Sequence, residues 1–134
     1  MVNKLYIDWR ELELLVDNLC KQIQERLFYT DDVYTSIHGL SRGGLIPAVM
    51  VSHKLDIPYT EDPTDETLII DDICDSGKTL QTWKGYTTAV LHYKPHTSCY
   101  EPTIYSEKHT SDDWIIYPWE MKDSKTIQDY KLDK

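Results

Sequence analysis

Leu68-Ile69-Ile70-Asp71-Asp72-Ile73-Cys74-Asp75-Ser76-Gly77-Lys78-Thr79-Leu80 is the stretch on which the reading of this chain turns. An apolar run ends in two adjacent carboxylates, Asp71 and Asp72, and a loop of small and hydroxylated residues leads into a helical pattern. A buried parallel strand delivers charged side chains in this way to the open edge of an α/β sheet, where ligands bind. The loop from Asp75 to Thr79 adds backbone N–H groups, hydroxyls and a cation where a helix begins, a seat for phosphate. Turn chemistry alone does not call for two consecutive aspartates, so an ordinary acidic turn explains the segment poorly. Gly77-Lys78-Thr79 ends like a nucleotide-triphosphate loop, but such a loop needs a glycine five residues before its final one. Asp72 stands there, an anion where phosphate would sit.

The order of four apolar residues, two acids, two apolar residues and a hydroxyl-rich loop resembles the signature of the type I phosphoribosyltransferases. Cys74 fills the second apolar slot, which suits a free cysteine that packs as a small hydrophobe. The resemblance implies that Asp71 and Asp72 hold the ribose hydroxyls of phosphoribosyl pyrophosphate (PRPP), and Mg²⁺ indirectly. It also implies that Ser76, Gly77, Lys78 and Thr79 hold the 5′-phosphate. Asp75 lies where the family places an acid near purine N7, making it the candidate general base.

Size and composition agree with one such domain. The chain has 134 residues, 40% apolar and 28% charged, enough for a real core. Its net charge of −9 argues against nucleic acid or an anionic membrane as a main partner. The proposed substrate is itself a polyanion, so a positive pocket must be built locally from backbone N–H groups, Arg42, Lys78 and a divalent cation. Cys20, Cys74 and Cys99 lack paired spacing and fit a reducing, cytoplasmic compartment better than a disulfide framework. No apolar run reaches transmembrane length and no signal-peptide pattern opens the sequence.

Along the chain, Asp8-Trp9-Arg10-Glu11 reads as a capping box, and apolar residues from Leu12 to Leu27 recur at helical spacing, predicting a helix over residues 8–28. A strand over 33–38, a tight loop over 39–44 and a helix over 45–55 with Pro47 in its first turn follow. A short strand is expected at 57–59, the signature strand at 67–70, a helix at about 77–84 and a strand at 87–93. Alternation of this kind means a parallel sheet flanked by helices. The resemblance divides the single domain into a core of about residues 1–94 and a small hood and tail over about 95–134. Beyond Pro95 the pattern degrades, and the segment reads as an irregular subdomain over the site or a frayed end with a mobile tail after about Ser124.

Three further stretches are similar to the bacterial xanthine–guanine branch of the family. Ser41-Arg42-Gly43-Gly44-Leu45-Ile46-Pro47 resembles its pyrophosphate loop, which implies that Ser41, Arg42 and Gly43 meet pyrophosphate across a cis Ser41–Arg42 peptide. Read alone, the same loop is a glycine-rich strand-to-helix turn. Lys94, before Pro95, matches a lysine that contacts the purine 6-oxo group. Asp113-Trp114-Ile115 followed by Pro118-Trp119-Glu120-Met121 matches a C-terminal segment in which the ring at Trp114 stacks on the base and the carbonyl of Ile115 reads its 2-position. Trp119 reads as packing. The histidines suggest no metal pair and no covalent triad.

The resemblance, which runs from Tyr6 to Met121, implies purine phosphoribosyl transfer to guanine, xanthine or hypoxanthine, with Mg²⁺ as cofactor and assembly as dimers or tetramers. One departure stands out. The family usually carries a long flexible loop before the signature strand, and this chain has only residues 60–66 there. A lid of that kind excludes water and gates turnover. Its shortness keeps open a second reading, a PRPP or nucleotide sensor with little catalysis, and a third is a transferase acting on pyrimidines.

Overall fold

The computed structural model describes residues 3–120; Met121 and the tail lie outside the described residues. Asp8 caps the first helix, its carboxylate accepting from the Glu11 amide at 2.8 Å. That bond satisfies one of the donors that a helix start leaves unpaired. The helix, α1, spans Trp9–Tyr29 and buries Leu12, Val16, Leu19 and Ile23 of the expected stripe together with Cys20, whereas Leu27 at its far end is exposed. Before it lies a short strand, β1, Lys4–Tyr6. After it come β2 (Ser36–Gly39), α2 (Leu45–Leu55), β3 (Thr67–Cys74), α3 (Lys78–Gln81), β4 (Thr87–Tyr93), β5 (Ile104–Lys108) and β6 (Trp114–Ile116).

β2, β3, β4 and β5 form one sheet in that order, every pair parallel. α1 packs on β4 and β5, and α2 packs on β2, β3 and α1. Successive strand residues point to opposite faces, and both faces are buried. Leu68, Ile70, Ala89 and Leu91 join the core under α1 and α2. Ile69, Val90 and Cys74 face the other way, against Leu80, Tyr93 and the rings of Trp83, Tyr86, Tyr100 and Tyr105. Burial on two sides is why these strands read as continuous apolar runs.

Several boundaries differ from the sequence expectation. The strand expected over 33–38 begins at Ser36 and takes in Gly39. The 57–59 strand is reduced to a single bridge between Ile37 and Tyr59. β3 does not stop at Ile70: Asp71, Ile73 and Cys74 pair with Val90, His92 and Tyr93 of β4, so the acid pair sits inside the ladder. α3 is shorter than expected, because past Gln81 the amides of Thr82, Trp83 and Lys84 bond three residues back in tight turns.

The division at residue 94 is corrected. β5 extends the central sheet, so the core continues to Lys108. The hood joins segments far apart in the sequence, β6 pairing in parallel with β1. Among the described residues, no helix is long and apolar enough to cross a membrane.

Candidate active site

At the carboxyl ends of β3 and β4 a cavity of about 140 Å³ opens. Among the residues expected at the site, Ser41, Asp71, Asp72, Asp75, Ser76, Gly77, Thr79, Lys94, Trp114 and Ile115 line it. Arg42, Gly43 and Lys78 do not. Arg42, on the turn before α2, and Lys78, at the start of α3, are both exposed. Gly43 is buried against Asp72: a Cβ there would overlap the Asp72 carboxylate. Close approach between this turn and the side chain of Asp72 on β3 therefore favours glycine at this position. The Ser41–Arg42 peptide is cis.

The two acids are braced by the strand that carries them. The Asp72 amide donates to Asp71 Oδ1 at 2.9 Å, and the Ile73 amide to Asp72 Oδ1 at 2.8 Å. Next along, Gly77 takes φ +80°, a conformation that side chains rarely adopt, and starts α3. A Cβ added to it would overlap Ser98 Oγ and crowd the Tyr100 amide. The Cys99 amide donates to the Ser76 carbonyl at 2.8 Å. Residues 97–100 thus form a floor beneath the hydroxyl-rich loop.

Asp75 is held from two sides. Thr97 Oγ1 donates toward both its carbonyl (2.9 Å) and its Oδ1 (3.0 Å), and Lys94 Nζ stands 3.6 Å from Oδ1. The Lys94 side chain is 8% exposed. A buried ammonium requires a charge partner, so the Lys94–Asp75 pair forms one polar edge of the cavity. Trp114 and Ile115, at the start of β6, line the same cavity together with Asp113, Tyr117 and Glu120. Trp119 packs as expected, stacking on Tyr117 with ring centroids 4.9 Å apart.

Three residues of this site escape the sequence reading: Thr97, His92 and Tyr117. Thr97 lies 22 residues from Asp75, and nothing local marks a threonine as its partner. His92 is buried, and its Nδ1 lies 2.7 Å from the Tyr117 hydroxyl. Burial, and then the neighbouring charge of His109, push the His92 imidazole down to about 4. The ring is therefore neutral, and Glu107 at 3.8 Å makes no ion pair with it. Burial raises the Cys74 thiol to about 11, which leaves it an inert wall of the cavity.

Among the described residues no group of three or more acids, histidines or cysteines is placed to cage a metal ion. The paired carboxylates instead fit a hard cation carried mainly by a substrate's phosphates.

Comparison with known proteins bears on this arrangement. No family model matches the chain. It is 30% identical over 118 residues to the xanthine-guanine phosphoribosyltransferase of Cereibacter sphaeroides, covering 66% of this chain and 70% of that one. To the protein of the same name from Vibrio vulnificus it is 26% identical over 150 residues, covering 90% and 92% of the two chains. The crystal structure of purine phosphoribosyltransferase from Pyrococcus horikoshii superposes with a TM-score of 0.75 at 27% identity, covering 95% of this chain and all of that one. With an acid-edged strand, a hydroxyl-rich loop and these likenesses over most of its length, the chain belongs to the type I phosphoribosyltransferase family and is an enzyme of purine phosphoribosyl transfer.

Proposed function

We propose that the chain transfers the 5-phosphoribosyl group of PRPP to a 6-oxopurine (guanine, xanthine or hypoxanthine), releasing pyrophosphate. The observation that carries this reading is that the Lys94–Asp75 pair, Trp114 and Ile115 line one cavity together with Asp71 and Asp72. A 6-oxopurine offers an oxygen acceptor next to N7, which suits an ammonium beside a carboxylate. Its flat face suits the Trp114 indole.

In this mechanism Asp71 and Asp72 hold the ribose hydroxyls. Ser76, Gly77, Lys78 and Thr79 take the 5′-phosphate, and Ser41, Arg42 and Gly43 take pyrophosphate. The bond from ribose C1 to the pyrophosphate oxygen breaks as purine N9 bonds to C1, and Asp75 accepts the purine's imidazole proton at N7. The transition state has cationic character at C1, and the nearby carboxylates favour that charge. Asp71 and Asp72 would hold Mg²⁺ through ribose hydroxyls or water, and the metal when bound neutralises pyrophosphate charge.

Mixing the protein with PRPP, Mg²⁺ and each purine base tests the proposal through the appearance of nucleotide and pyrophosphate. Product with a 6-oxopurine is expected. Product with uracil or orotate alone would replace it with a pyrimidine transferase. One observation favours a second reading: residues 60–66 form only a turn where the family has a lid, so the cavity has no cover from that side. Tight PRPP binding with no product from any base would establish a sensor. A neighbouring copy in a dimer or tetramer is the cover that the enzymatic reading calls for.

A further inference from the structure

Tyr117 is fully buried and follows directly on β6, the strand that carries Trp114 and Ile115. Its hydroxyl donates to the backbone carbonyl of Asp72 at 3.2 Å and lies 2.7 Å from His92 Nδ1. The carbonyl two residues earlier, that of Ile70, is taken by the Leu40 amide at the end of β2. A hydroxyl has one hydrogen, so while Tyr117 donates to Asp72 its oxygen accepts from a His92 ring protonated at Nδ1. The Tyr117 amide in turn donates to Glu120 Oε1 at 2.7 Å, and the ring lies flat on Trp119. Backbone and side chain are both fixed.

We infer that Tyr117 is a positioning residue: through the Asp72 carbonyl and His92 it sets the distance between the base-stacking wall, Trp114 and Ile115, and the acid pair that grips ribose. This rests on assigning those two walls to base and ribose. A mononucleotide spans both walls, whereas PRPP engages the acid pair and the phosphate loops alone. Loss of the hydroxyl therefore weakens the spanning ligand and spares the other.

Calorimetric titration of the full chain with guanosine monophosphate, and separately with PRPP and Mg²⁺, tests this. In Tyr117→Phe, which keeps the ring, mononucleotide affinity is expected to fall about tenfold, the worth of one buried hydrogen bond, with PRPP affinity within about twofold. The change also strands His92 Nδ1 in the core, so thermal stability should drop. The double variant Tyr117→Phe/His92→Leu removes that stranded nitrogen; it should recover part of the melting temperature while mononucleotide affinity stays low. Unaltered affinity in Tyr117→Phe, equal loss for both ligands, or affinity that returns with stability in the double variant would each overturn the inference. Absence of mononucleotide binding by the unaltered chain would instead overturn the functional reading beneath it.

Discussion

In the proposed mechanism the proton transfer depends on a single side chain, Asp75. Thr97 and Lys94 fix its carboxylate at the cavity edge, so replacing it by asparagine keeps the shape and removes the proton acceptor. Asp75→Asn is expected to lower kcat by about 10²–10⁴-fold with the KM for PRPP within about threefold, since general-base catalysis is lost and ground-state binding is not. Steady-state kinetics with both substrates checks this, and an unchanged kcat would remove Asp75 as the base. His92 makes a prediction about stability. Its native value of about 4 lies below the ordinary 6.5. As pH falls, the unfolded chain takes a proton that the folded chain refuses, so stability is full above about 6.5 and declines toward about 4. At pH 5 the loss amounts to about 2 kcal/mol. His92→Leu should lose less melting temperature than the parent between pH 7 and pH 5; parallel losses in the two proteins would contradict the assignment.

At the level of elements, the site is a strand, the turn that ends it and the segment beneath that turn. The strand and turn were legible because each carries its own chemistry: an apolar run before two acids, then glycine and hydroxyls. The bounds of α2 and β4 follow the sequence expectation, since punctuation and periodicity agree there. β5 was illegible for a physical reason. It is an edge strand with Ile104 alone fully buried, and it ends in Glu107 and Lys108, charges that suit an edge and erase its apolar pattern. β6 is three residues long and exists only because β1 pairs with it from the far end of the chain. Contacts such as Thr97–Asp75 and Tyr117–Asp72 join residues 22 and 45 apart, beyond any local spacing rule. Gly77 tests the turn. A Cβ there would overlap Ser98 Oγ and lie 2.9 Å from the Tyr100 amide, in a backbone conformation that disfavours L-residues. Gly77→Ala is expected to cost at least about 1–2 kcal/mol and to weaken PRPP binding more than tenfold. Denaturation and calorimetry read the two effects, and parental values in both would show that the turn tolerates a side chain.

The whole molecule sets the terms on which a polyanion arrives. With a net charge of −9, the body repels PRPP at long range, and local groups capture it only at the pocket. Salt shortens the reach of that repulsion, from about 30 Å at 10 mM to about 8 Å at 150 mM. The kcat/KM for PRPP should therefore rise with ionic strength over that range, and a steady fall would mean that the pocket's own positive field governs capture. β1 and β6 meet in the hood, so Trp114 and Ile115 belong to a different layer from Asp71 and Asp72, and the two must be held in register. The most direct test of the account is the electron density of crystals soaked with PRPP and Mg²⁺. The account predicts ribose hydroxyls on Asp71 and Asp72 and the 5′-phosphate on Ser76, Gly77, Lys78 and Thr79. An empty loop at saturating ligand, or the sugar bound elsewhere, would contradict it.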